Sequence, residues 1–440
     1  MLKSEAKILE LHPGQYSIWL AQLLNPASVM YNTAQVIEIE GVVDTSILEE
    51  SLRDLFADSE ALRIRIVEVD GRPCQVIGAI PRKLFDILDL SGHTPAQVDE
   101  RICEFINEPI DLVDGPLFYA ALILTERLSK LLLISHHIVL DGYGLALVAG
   151  GVARRYSEIV VGKSKQPNRL ASIERILREE SEYENSNKQQ RDRAYWASRI
   201  KDSNDADMSR YAPVRYLDAV SHSFRVCGTA ARRMRDIAVE CGASWVDVLM
   251  AALSVFFQRG NNSPTASMEF AAMCRTSSHR RVTPFMVMNI IPVSIDVNPG
   301  VTFAELVTLV NDDLLRGLSH QSLRREHFTD LNPGQSGRSL TGPLVNVLPF
   351  ERYLKFGSSG ATVRDVARGP ISYLAIYAFE QGHELSIEFV SHPDLHSGES
   401  LSAYVDRFVG LLQAVVANPE QRVGDIDLLT AQERERLLVE

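Results

Sequence analysis

The stretch SHHIVLDGYG, residues 135–144, places His136 and His137 ahead of Asp141, with Gly142 and Gly144 on either side of Tyr143. Imidazole titrates near neutral pH and moves protons in group-transfer chemistry. An apolar run, LLLIS at 131–135, leads straight into the pair, so the rings sit at the end of a packed strand. Successive strand side chains point to opposite faces, and both rings share one pocket only if the strand has already ended. One histidine is therefore expected to be structural. Two hydrogen-bonded core histidines are the ordinary alternative. Asp141 and the glycines favour a site, because glycine lets backbone approach a ligand and a following helix start offers unused N–H groups. A metal is disfavoured: His and Asp four apart supply too few ligands, and no other Cys/His cluster exists. There is no G-x-S-x-G elbow, Walker loop or G-x-G-x-x-G after a strand. Histidine as acid or base in group transfer remains.

The surrounding sequence alternates strand-like and helix-like segments. AQVIEIEG (34–41) suits a half-buried strand, and DTSILEESLRDLF a helix capped at Asp44/Thr45. LRIRIVEVDGRPCQVI (62–77) reads as a hairpin about DGRP, and PAQVDERICEFINEP as an amphipathic helix. PLFYAALIL (116–124) and KLLLISHHIVLD (130–141) read as buried strands, followed by a helix over 144–160. Hydrophobicity falls over 163–169 and a charged helical stretch follows, which predicts a boundary near 175–180. Beyond it, helices over 230–242 and 245–259 precede strands at ASMEFAAMC and VMNIIPVSIDV. A Thr-capped helix at TFAELVTLVNDDLLRGLSH, strands at LVNVLPF and ELSIEFV, and a long final helix follow. Both halves are mixed α and β, and no repeat of 20 to 50 residues is visible.

Length and composition fit this reading. A chain of 440 residues suggests two or three units at roughly 100 to 200 residues each. With 45% apolar and 23% charged residues it resembles an ordinary globular protein, and no apolar window approaches a membrane span of ~20 residues. No secretory or lipidation signal is visible, so a cytoplasmic location and no membrane partner are expected. The five cysteines are scattered without CxxC spacing and read as reduced thiols. A net charge of −12 disfavours nucleic acid. The pairs Arg154–Arg155, Arg280–Arg281 and Arg324–Arg325 read as solvated surface.

HHIVLDG matches the HHxxxDG signature of the condensation domains of non-ribosomal peptide synthetases, and other segments carry the resemblance further. HPGQYSIWLAQLLNPASVMYN (12–32) resembles the family's opening motif, SEALRIRI (59–66) its arginine motif, and PIDLVDGPL (109–117) the segment before the histidine strand. MNIIPVSIDV (288–297) resembles the later asparagine-proline motif, and GPLVNVLPF (342–350) a further shared strand. The resemblance covers nearly the whole chain in order. It implies two lobes similar to chloramphenicol acetyltransferase, mixed α/β, in a V-shaped pseudo-dimer with a central tunnel. The expected division is 1–177 for the lobe bearing the histidines, 178–426 for the second, and 427–440 for a linker resembling the approach to an adenylation domain.

Carried over residue by residue, the resemblance implies that His137 is catalytic and Gly142 lies beside the reacting carbonyl. His136 is a structural neighbour, and Asp141 pairs with Arg63 to hold the loop. Tyr143, Asn289, Ser372 and Tyr373 are the expected tunnel residues, with no metal. Two departures stand out: Tyr119 replaces an arginine common after GPL, and Ser372–Tyr373 replace Asn-Asp after GP. The implied reaction joins an acyl thioester to the amine of an aminoacyl group on a carrier protein's phosphopantetheine arm. The implied partners are that carrier, an acyl-CoA or an upstream carrier as donor, and an adjacent adenylation domain, with no tightly bound cofactor and a monomeric isolated domain. If Met1 is the native start, a starter type using acyl-CoA is expected; otherwise a peptide-elongating domain fits equally. A stand-alone CoA-dependent acyltransferase and a non-catalytic recruitment module of the same fold stay open. So does the role of His137 as general base, amine-positioning group or stabiliser of the oxyanion.

Overall fold

Local signals place the elements much as their residues dictate. The structure, a computed structural model, describes residues 7–166, 170–200, 212–261, 263–331, 342–349 and 352–427. The first half runs β1 (Ile8–Glu10), α1 (Pro13–Leu24), β2 (Asn32–Glu40), α2 (Thr45–Asp58), β3 (Ile64–Val69), β4 (Arg72–Ile77), β5 (Asp86–Asp89), α3 (Pro95–Ile106), β6 (Phe118–Leu124), β7 (Leu128–His136) and α4 (Gly142–Val160). Two charged helices, α5 (Ile173–Glu184) and α6 (Asn187–Ile200), lead into the second half. There follow β8 (Val220–Val226), α7 (Gly228–Glu240), α8 (Trp245–Asn261), β9 (Thr265–Ala272), α9 (Ser278–Val282), β10 (Asn289–Asp296), α10 (Phe303–Ser319) and α11 (Phe328–Leu331). The chain continues through β11 (Leu344–Val347), β12 (Tyr353–Phe356), β13 (Ser359–Ala367), β14 (Leu374–Gln381), β15 (Glu384–Ser391) and α12 (Gly398–Ala417).

Asp44 caps α2 through the amides of Ser46 and Ile47, and Thr302 caps α10 in a box with Glu305. The β3–β4 hairpin turns on Asp70 and Gly71, both at positive φ (51° and 73°), the backbone that a two-residue Asp-Gly loop adopts. Against the expectation from sequence that no window approaches a membrane span, helix α12 is long and apolar enough by composition to cross one. Its Leu401, Val405, Phe408, Leu411 and Val415 are instead buried in the second core.

Among the described residues two six-stranded sheets dominate, ordered β12-β13-β2-β7-β6-β5 and β10-β9-β11-β14-β15-β8, beside a three-stranded sheet β1-β4-β3. Each large sheet packs helices over its own apolar core. The halves are not contiguous pieces of chain. Strands β12 and β13 leave the second half, β13 pairing antiparallel onto β2 and β12 onto β13, and Phe285, Met286 and Val287 pack into the first core. The division expected at 177/178 falls inside α5, whose Ile173 and Ile176 join the first core, while Trp196 of α6 joins the second. The expected linker over 427–440 lies outside the described residues apart from Asp427.

Close packing at the join between strands is visible at Gly342, where a Cβ would come within 2.4 Å of the Ser267 carbonyl oxygen. Backbone cannot rotate away as a side chain can, so Gly342→Ala is expected to destabilise the fold by about 1–3 kcal/mol in urea unfolding.

Candidate functional site

Strand β7 ends at His136, whose backbone pairs opposite Asn32 of β2 and donates to the Leu117 carbonyl. Its ring is fully buried, with Nδ1 accepting from the Ile138 amide (3.2 Å) and Nε2 facing Gln22 Oε1 (3.4 Å). An acceptor Nδ1 places the ring proton on Nε2. Burial, and secondarily the adjacent imidazole, push the His136 pKa down to about 3, so the ring stays neutral. His137 has left the strand: its amide donates to the Tyr31 carbonyl and its side chain lines a cavity of about 420 Å³ between the halves. The strand has thus ended between the two rings, and it is the turn after His136, not strand alternation, that sends His137 to the cavity.

Burial also lowers the His137 pKa, opposed by the carbonyls of His137 and Leu140 and by the charge of Asp141. Its Nδ1 is buried without a hydrogen bond of ordinary geometry among the described residues. On the cavity side Gly369 lies against the ring, and a Cβ there would sit 3.3 Å from Cδ2 and 3.6 Å from Nε2. Gly142 opens α4 on the cavity wall, and a Cβ there would meet nothing within 4 Å. The first N–H groups of a helix have no partner within it and are available there.

Asp141 is the N-cap of α4 and 2% exposed. Its Oδ1 accepts from the Gly144 amide (2.7 Å) and from Arg275 (2.7 Å), and its Oδ2 from the amides of Val287 and Met288 (3.0 Å each). The expected partner is corrected here: the arginine is Arg275, not Arg63. Arg63 closes the first 3₁₀ turn after α2 and spends its guanidinium on the Gly78 carbonyl (2.9 Å). Arg275 follows β9, and its guanidinium also donates to the carbonyls of Arg280, Thr283 and Phe285.

Tyr143 is likewise placed differently from the expectation. It covers the Arg275 guanidinium at 4.7 Å and donates to the Arg281 carbonyl, outside the cavity lining. Asn289, Ser372 and Tyr373 do line the cavity. Asn289 uses its amide on the carbonyls of Gln321 and Leu323 and accepts from the Arg325 amide, so it shapes the wall. Tyr119 is exposed and away from the cavity.

The arginine pairs expected on the surface are partly internal. Arg280 is buried against Glu179 and Glu180, and Arg324 is buried with its guanidinium on the Val287 and Met288 carbonyls. Arg325 faces the cavity and pairs with Glu269 of β9 at 2.7 Å. Burial raises the Glu269 carboxyl to about 7 despite that arginine. At another part of the cavity Arg368 bridges Asp365 and Glu388 and stacks on Tyr377 at 4.0 Å. Burial would raise the Asp365 carboxyl, but Arg368, Arg352 and Gln35 hold it below its usual range. Glu269, Asp365 and Arg368 carried no local signal, since an isolated Glu, Asp or Arg in a strand or loop looks the same whether it meets water or a cavity. Among the described residues no group of three His, Cys, Asp or Glu side chains is placed to hold a metal.

Two measurements check this electrostatic frame. Removing one partner of a buried ion pair leaves the other uncompensated, at about 3–5 kcal/mol. Arg275→Ala should therefore lower the unfolding free energy by that amount, whereas Arg63→Ala should cost well under half as much; equal losses would contradict the assignment of the pair. Glu269 binds a proton more tightly folded (about 7) than at its ordinary 4.5. Its contribution is fully favourable below pH 4.5 and lost as pH rises through 7. Glu269→Gln should thus gain roughly 3 kcal/mol relative to the parent between those limits in pH-dependent denaturation.

The condensation-domain family model matches residues 5–438. The chain is 28% identical over 433 residues, 97% of its length, to a dimodular nonribosomal peptide synthase of Bacillus subtilis (strain 168). It is 29% identical over 427 residues, 94% of its length, to an isonitrile lipopeptide synthase of Streptomyces coeruleorubidus. It spans only 18% and 29% of those relatives. Among solved structures, a mutant of the starter condensation domain of rhizomide synthetase RzmA in complex with C8-CoA superposes with a TM-score of 0.88 at 28% identity, over 96% of this chain and 98% of that one. The first condensation domain of the CDA synthetase superposes at 0.84 and 27% identity, over 96% and 99%. Matched by the family model over nearly its whole length and superposing on solved condensation domains, the chain belongs to the condensation-domain family of non-ribosomal peptide synthetases, acyltransferases that form amide bonds.

Proposed function

We propose that this condensation domain is of the starter type, joining an acyl group from acyl-CoA to the amine of an aminoacyl thioester held on a carrier protein. The observation that carries the reading is the neutral His137 imidazole on the wall of an inter-lobe cavity, with the start of α4 beside it. The starter subtype is supported by the likeness to RzmA, a starter domain solved with C8-CoA. A peptide-elongating domain would take its donor from an upstream carrier instead.

In this reading the acceptor nitrogen attacks the thioester carbonyl and its proton passes to His137 Nε2. The buried edge of the ring faces the carbonyls that favour a proton on Nδ1, which leaves the Nε2 lone pair to the cavity. As the C–S bond breaks, the imidazolium returns the proton to the departing thiolate. The oxyanion develops near Gly142, where an aimed backbone N–H is worth roughly 3 to 4 kcal/mol. Asp141 and His136 position the loop and touch neither substrate. The carrier's phosphopantetheine arm and coenzyme A are substrate carriers, and an adenylation domain that loads the carrier is the natural neighbour.

Reconstitution with aminoacyl-loaded carrier protein and matched acyl-CoA and acyl-carrier donors tests this. His137→Ala should reduce kcat by about 10²- to 10⁴-fold; undiminished product would remove the assignment, and turnover from acyl-carrier but not acyl-CoA would select the elongating type. With the acceptor amine's own ionisation near 8 divided out, the rate should stay level down to pH 6.5 and fall only below it, because the His137 pKa is lowered from that value.

A further inference from the structure

The second sheet turns one face to its own core and the other to the cavity. Along β9, Met268 and Phe270 are core residues, so Glu269 between them points the opposite way, flanked in register by Leu344 of β11 and Pro292 of β10. Its carboxylate is buried on the cavity wall, and among the described residues its only partner is Arg325, which reaches one oxygen, Oε1, at 2.7 Å. The Arg325 side chain is one-third exposed and its guanidinium has further N–H groups to offer. A purely structural pair in this place would be replaceable by apolar residues at no loss of stability. Burial holds the carboxyl up to about 7, and Arg325 offsets that only in part.

We propose that Glu269 and Arg325 form a subsite for a primary carboxamide side chain on the aminoacyl acceptor. The inference rests on the acyl-transfer reading above, in which the fatty acyl donor brings no such side chain. Above pH 7, with the Glu269 carboxyl ionised, the pair is neutral as a unit: a cationic side chain would be repelled by Arg325 and an anionic one by Glu269. A carboxamide is neutral and presents a donor and an acceptor in one plane, its NH₂ to the free carboxylate oxygen and its carbonyl to the guanidinium. A hydrocarbon of equal size would offer no partner to the second carboxylate oxygen or to the remaining guanidinium N–H groups, which is the arrangement that gives discrimination.

The test uses the whole chain with an acyl-CoA donor and N-acetylcysteamine thioesters of glutamine, asparagine, leucine, glutamate and lysine as acceptors. Glutamine or asparagine should exceed leucine in kcat/KM on the order of a hundredfold, with glutamate and lysine also poor. Glu269→Leu should bring the carboxamide-to-leucine ratio to within about threefold. Arg325→Gln, at a partly exposed position, should reduce the same ratio at least tenfold if the first variant folds poorly. Product from all five acceptors with similar efficiency, or a preference for leucine, overturns the subsite alone. Product from none overturns the acyl-transfer reading and the subsite with it.

Discussion

A single buried carboxylate organises this molecule. Asp141 accepts four hydrogen bonds, one from the start of α4 and three from the second half, through Arg275, Val287 and Met288. Charge-assisted bonds of this kind contribute roughly 1.5–3 kcal/mol each, and all four are lost together if the carboxylate goes. They fix the height of the loop carrying His137 against the wall that faces it. The imidazole is thus positioned by a joint between the halves as much as by the strand that delivers it.

Around that joint, burial sets the charge states. Two adjacent imidazoles in a dry environment cannot both be protonated, and here burial pushes both toward neutrality. The cavity wall contributed by the second sheet is patterned as well. In register across it lie Glu269, Leu344 and Ala375 in one row and Asn346 and Tyr377 in the next. The second row runs on to Glu388, held by Arg368, so polar groups mark distinct positions of a largely apolar chamber.

What could be read from the residues was what depends on neighbours in sequence. The caps at Asp44 and Thr302 and the Asp-Gly hairpin follow from spacing alone, whereas the strand read over 130–141 in fact ends at His136. Partners far along the chain could not be read this way. Asp141 and Arg275 are 134 residues apart, and a resemblance pointed to Arg63 instead. Arg280 and Arg324 look like surface residues until the fold surrounds them with carboxylates and carbonyls. Nor does a strand of four or nine residues state which sheet it joins, so the passage of β12 and β13 into the first sheet left no trace in periodicity.

That crossing has a consequence for how the chain comes to be folded. Strand β2 lies between β7 and β13, and its partner on one side is synthesised more than three hundred residues after it, a separation shown by the Gln35–Asp365 hydrogen bond. Throughout that interval the nascent first half presents an open row of backbone donors and acceptors along β2, beside a core still missing Phe356, Ala361 and Val366. Translation, which delivers N-terminal segments first at ~5–20 residues per second, leaves this edge uncovered for tens of seconds. Shielding of that edge in the growing chain, more than stability in the finished one, then governs how much of the protein reaches its native form.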